Sequence, residues 1–116
     1  MLLKPATVGL IKTEAYTDQQ NELAALLRVV AHPARIAILQ KLALEDCCIC
    51  RDFTDEIALA QPTMSKHLQE LEASGILKSA TSGTAKRYCI DPARWRAVSG
   101  VVSAFLASID DATQCC

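Results

Sequence analysis

The chain has no apolar run near the ~18 residues that a membrane-spanning helix requires. Its opening residues, MLLKPATVGLIKTEAYTDQQ, lack a basic stretch followed by a long apolar core. Residues 1–16 therefore read as a flexible arm rather than a secretory signal, and the expectation is a cytoplasmic protein with no membrane partner. There is no internal repeat, low-complexity tract or linker. A phosphate-binding loop, a nucleophile triad and a pair of carboxylates in a plausible cleft are also missing, so an enzyme is not expected. Net charge is scarce as well: 12 Lys and Arg stand against 13 Asp and Glu, a formal −1, which taken alone argues against a nucleic-acid partner.

The length of 116 residues fits one domain with one core. With 51% hydrophobic and 22% charged residues the composition is that of a globular protein. The small net charge hides an uneven distribution. Residues 62–96 hold Lys66, Lys78, Lys86, Arg87, Arg94 and Arg96 against Glu70, Glu72 and Asp91, so this stretch is basic while both flanks are acidic.

Local signals place the elements. Thr17 can cap a first helix, with Gln20 at the reciprocal capping-box position. Leu23, Leu26, Leu27 and Val30 follow on one face. Pro33 suits the first turn of a second helix through Ile36, Leu39 and Leu42. A short segment, 44–50, holds Cys47, Cys48 and Cys50, and Phe53 with Ile57 marks a short third helix. Pro62 opens a fourth, with Met64, Leu68 and Leu71 inward and Gly75 as its left-handed cap. Residues 76–81 and 85–90 read as strands joined by a turn at Ser82-Gly83-Thr84. Asp91-Pro92 then starts a long last helix carrying Trp95, Val98, Val102, Phe105 and Ile109 on one side. The expected fold is mainly α with a small β-hairpin, a winged helix-turn-helix over residues 17–110, with residues 111–116 as a cysteine-containing tail.

In that order the fourth helix is the reading element. Its polar side offers Gln61, Thr63, Ser65 and Gln69 for base edges, and Lys66 and His67 for the phosphate backbone. Lys86 and Arg87 at the wing tip would reach phosphate or a minor groove. The plain alternative is an amphipathic surface helix with a solvated face.

The runs HPARIAILQKL, CCIC, AQPTMSKHLQELEASGIL and KRYCIDP resemble the ArsR/SmtB family of metal-sensing repressors, most specifically over Gln61 to Leu68. The resemblance covers about residues 20–95 and is of the arsenic-responsive type. It implies a homodimer joined through the first and last helices, bound to double-stranded operator DNA with an imperfect inverted repeat of half-sites ~34 Å apart.

Six cysteines in 116 residues, five of them in two tight groups, point in a reducing compartment to metal binding or thiol chemistry rather than a disulfide framework. Arsenic-sensing members of the family carry Cys-x-Cys at the start of the helix before the recognition helix, and Cys48-Ile49-Cys50 stands there. The third family cysteine is replaced by Phe53. In a winged helix the short segment before the third helix can pair with the last wing strand. The expected ligand set is therefore Cys48, Cys50 and Cys89, with Cys47 in reserve. Three thiolates suit As(III) or Sb(III) as inducer, and Zn(II) ranks lower. A helix N-terminus would lower the thiol pKa. His32 is expected to be structural. Cys115 and Cys116 are expected to be either a mobile tail or a second site.

The expected mechanism is negative allosteric control, in which a thiophile loosens the hold on the operator by ~1–3 kcal/mol of coupling. The alternatives are a thiol-redox or persulfide sensor, a zinc-responsive repressor and, outside this class, a zinc-stapled interaction module without DNA binding.

Overall fold

The computed structural model describes residues 13–113. After a 3-10 turn at Thr13–Ala15, the elements are α1 (Asp18–Val30), α2 (Pro33–Glu45), β1 (Cys47–Ile49), α3 (Cys50–Glu56), α4 (Gln61–Ala73), β2 (Leu77–Ser82), β3 (Ala85–Ile90) and α5 (Pro92–Ala112). The three strands form one antiparallel sheet in the order β1-β3-β2. The chain is a winged helix-turn-helix, mainly helical with a small sheet, as expected.

Helices α1, α2 and α5 start where the sequence supplies a partner for their first free N–H groups. The Thr17 hydroxyl accepts from the Gln20 N–H, and the Gln20 side chain accepts from the Thr17 N–H. His32 Nδ1 accepts from the Ala34 N–H at 3.0 Å, with Pro33 in the first turn of α2. Asp91 caps α5 by accepting from the N–H groups of Ala93 and Arg94. At the other end of α4, Gly75 has φ +86°, the torsion that ends a helix and that a side chain would disfavour. The wing turn is tighter than the three-residue reading. Ser82 pairs with Ala85, which leaves the two-residue loop Gly83-Thr84, with Gly83 at φ 63° in the position a type II′ hairpin gives to glycine.

The core lies between the helices and the inner face of the sheet. Phe53, Ile38, Met64, Leu68, Leu71 and Ile76 are fully buried there. Tyr88 and Cys48 close it from the sheet side. One charged side chain is buried beside it. Lys41 on α2 pairs with Glu45 one turn on and with Glu56 of α3 at 2.8 Å, which raises its pKa and ties α3 to α2.

Two features break the regular pattern. Asp46, between α2 and β1, has φ 63° and ψ −68°, close to a γ-turn geometry that is rare and strained for a residue with a side chain. Of the apolar residues on α5 only Val98 is buried and only Val102 half-buried, while Val101, Phe105, Leu106 and Ile109 are exposed. The stripe read from the sequence is present, but α5 runs past the domain that should cover it.

Candidate functional site

Helix α4 keeps Met64, Leu68 and Leu71 at 0% exposure, which fixes its rotation against the core. The opposite side carries Gln61, Thr63, Lys66 and Gln69, all exposed, with Ser65 half-buried between them. Gln69 donates to the Ser65 hydroxyl at 3.3 Å. These five side chains make one polar strip with hydrogen-bonding groups that can meet base edges and a single cation that can meet phosphate.

His67 is set apart from the strip. It is half-buried, its Nδ1 accepts from Arg35 Nε at 3.0 Å, and its ring lies 4.4 Å from that of His32. Arg35 also pairs with Glu70 and donates from Nη1 to the Val29 carbonyl at 2.9 Å. One guanidinium thus joins the end of α1, the start of α2 and the middle of α4. The sequence reading missed this arginine because its partners lie 32 and 35 positions ahead, with no local mark.

Burial, then the Arg35, His32 and Lys66 charges, lower the His67 pKa below its ordinary 6.5. The unfolded chain therefore binds this proton more readily than the folded one. Stability from His67 is complete above the ordinary value and is lost as pH falls through the lowered one. The melting temperature is expected to fall as pH drops below about 6.5, and His67→Gln, whose amide oxygen can still accept from Arg35, should remove that component. An unchanged pH profile in His67→Gln would assign the fall to other groups.

The wing presents its two cations differently. Lys86 pairs with Glu72 of α4 at 2.9 Å and lies 5.2 Å from the Tyr88 ring centre. The Ser79 hydroxyl bond and Lys86 together hold the Glu72 carboxyl below its usual pKa. Arg87 is exposed on the outer face and donates to the Cys47 carbonyl at 3.4 Å.

Strand β1 does pair with β3, but the faces are shifted by one residue from the expectation. Cys47 is the direct partner of Cys89, Cys48 of Tyr88 and Ile49 of Arg87. A one-residue shift moves every side chain to the other face. Cys47 and Cys89 therefore meet on the outer face, 4.5 Å apart at Cα, and form a disulfide. Cys48 points into the core at 2% exposure. Cys50 opens α3, where strand alternation has ended, and is half-buried. Among the described residues no three His, Cys, Asp or Glu side chains gather as a metal site, so Cys48, Cys50 and Cys89 are not brought together. Cys115 and Cys116 lie outside the described residues.

The helix start does not activate the thiols as the sequence implied. Burial raises the pKa of Cys50, and burial raises that of Cys48 with help from Glu45 and Asp52, although Lys41 and Arg87 oppose the shift. Desolvation outweighs a short helix dipole here. In native protein at neutral pH, alkylation with iodoacetamide should label Cys50 well before Cys48, and Cys48 only on unfolding. Equal labelling of the two under native conditions would place Cys48 outside the core.

A helix-turn-helix domain model matches residues 30–80. An HTH-type transcriptional regulator of Methanocaldococcus jannaschii, MJ1325, is 34% identical over 74 residues, covering 63% of this chain and 82% of that protein. The arsenical resistance operon repressor of Staphylococcus xylosus is 30% identical over 68 residues, covering 59% of this chain and 64% of that protein. Among solved structures, the ArsR family transcriptional regulator RHA00566 superposes with a TM-score of 0.66 at 23% identity, over 87% of this chain and 96% of that one. With the helix order, the polar strip on α4 and the wing already in place, the chain belongs to the ArsR/SmtB family of DNA-binding transcriptional repressors and is not an enzyme.

Proposed function

We propose that this repressor binds an inverted-repeat operator as a homodimer, and that a bridge between Cys47 and Cys89 weakens its hold. The observation that carries the reading is the direct opposition of these two cysteines across β1 and β3. Residues 47–49 lead without a break into α3, and Cys89 lies on the wing strand. Joining the two sulfurs fixes α3 to the wing, and α3 packs on α4. A change at this bond is thus passed to the reading helix through adjacent packed elements. The exposed apolar strip of α5, with α1 packed beside it, is the surface that a second copy would cover.

The bridge in the structure is a disulfide. Two thiols give up two electrons and two protons to form it, and a hydroperoxide or a small disulfide is a sufficient oxidant. A second reading keeps As(III) or Sb(III) as the bridging group. It is favoured by the likeness to the Staphylococcus arsenical resistance operon repressor and by the chemistry of the reduced pair. There Cys47 and Cys89 would supply two sulfurs to the thiophilic ion. Zinc fits less well, because a fourth thiolate would require Cys48 to leave the core.

The test is an operator titration at fixed salt with reduced, oxidised and arsenite-loaded protein. Bridged forms are expected to bind ~5–150-fold more weakly than the dithiol. Cys89→Ser should bind tightly and ignore both treatments. Equal affinity of the reduced and bridged forms would refute the reading. A response to arsenite without a response to oxidant would select the second one.

A further inference from the structure

Beside the Cys47–Cys89 bond lies a cleft of about 490 Å³ that the DNA-binding surface does not use. Both cysteines line it, together with the apolar side chains of Leu42, Pro92 and Trp95, the cations Lys78 and Arg96, and one acid, Asp46. Lys78 is the direct cross-strand partner of Cys89 from β2, so its side chain rises on the same face as that sulfur. Lys78 and Arg96 are exposed, and among the described residues neither enters an ion pair.

Resting on the reading above, we propose that this cleft is a docking site for a low-molecular-weight thiol bearing a carboxylate, which reduces the bond and restores the operator-binding form. Two cations beside a disulfide attract an anion that carries a nucleophilic sulfur. The apolar wall at Trp95 accepts its hydrocarbon part. The thiolate attacks Cys47 Sγ, the Cys47–Cys89 bond breaks, and Cys89 leaves as a thiolate next to the Lys78 ammonium. A second thiol then attacks the incoming sulfur of the mixed disulfide. The products are the small disulfide and the Cys47 and Cys89 thiols, so two electrons pass from two small thiols to the protein.

The experiment needs no DNA, so its failure is distinct from failure of the operator reading. Disulfide-bonded protein is reduced with 3-mercaptopropionate, which is anionic, with 2-mercaptoethanol, which is neutral, and with cysteamine, which is cationic. Each rate is divided by that thiol's rate with a small free disulfide. The normalised rate for the anion is expected to exceed that of the neutral thiol by about 10-fold, and to fall toward it in Lys78→Gln and Arg96→Gln. Trp95 is the sole tryptophan, so a non-thiol analogue, S-methyl-3-mercaptopropionate, should change its emission saturably. Brief reaction followed by acid quench and peptide mapping should find the mixed disulfide on Cys47. Normalised rates that do not differ among the three thiols, or that are untouched by both substitutions, would overturn the site. A mixed disulfide on Cys89 would overturn the assigned direction of attack.

Discussion

Reduction of the Cys47–Cys89 bond is expected to lower the unfolding free energy by about 3–4 kcal/mol. The bond closes a loop with a sequence separation of 42, and chain entropy assigns about that much to a cross-link of this length. The loop contains α3, α4 and β2, so the cross-link restrains the whole reading unit in the unfolded chain. The measurement is urea unfolding by circular dichroism, with oxidised protein compared with protein held in a phosphine reductant. A Cys47→Ser, Cys89→Ser double variant should match the reduced protein and show no response to reductant. A difference below about 1 kcal/mol between oxidised and reduced wild type would mean that the bond does not restrain the chain in solution. The cysteine reading of the repressor would then lose its structural basis.

The second large effect is expected at Phe53. This ring is 0% exposed and is the residue through which α3 packs into the core. Phe53→Ala should cost about 3–5 kcal/mol, from lost burial and the cavity left behind. That is a large share of the 5–15 kcal/mol typical of a domain. Helix α3 has only 7 residues and cannot persist without this anchor. Operator binding should fall with stability at 37 °C and recover on cooling, whereas Phe53→Leu should lose far less of either. A cost under about 1 kcal/mol in chemical denaturation would show that α3 is held by other contacts, chiefly the Lys41–Glu56 pair.

How much of this was readable in advance depends on the range of each signal. Thr17 with Gln20, Pro33, Gly75 and Asp91-Pro92 act within a few residues of themselves, and each stands where the sequence placed it. Met64, Leu68 and Leu71 repeat at helical spacing, and all three are buried. Cys47 and Cys48 are different. Which of them faces Cys89 depends on a register set by pairing 42 residues away, and a shift of one position exchanges their roles. The family pattern drew attention to Cys48 and Cys50, and the sheet selects Cys47. Lys86 is a wing-tip candidate for phosphate or a minor groove on sequence alone, and its pairing with Glu72, 14 residues earlier, has no local mark. The cleft beside Trp95 had no local mark, since its walls come from α2, β1, β2, β3 and α5.

Asp46 gives the bridge a further property. Its torsions, φ 63° and ψ −68°, immediately precede Cys47, and an L-residue held in such a region stores roughly 1–3 kcal/mol. That cost falls on the one residue between α2 and β1, so the position of Cys47 opposite Cys89 is imposed by the packing around the turn rather than by the turn's own preference.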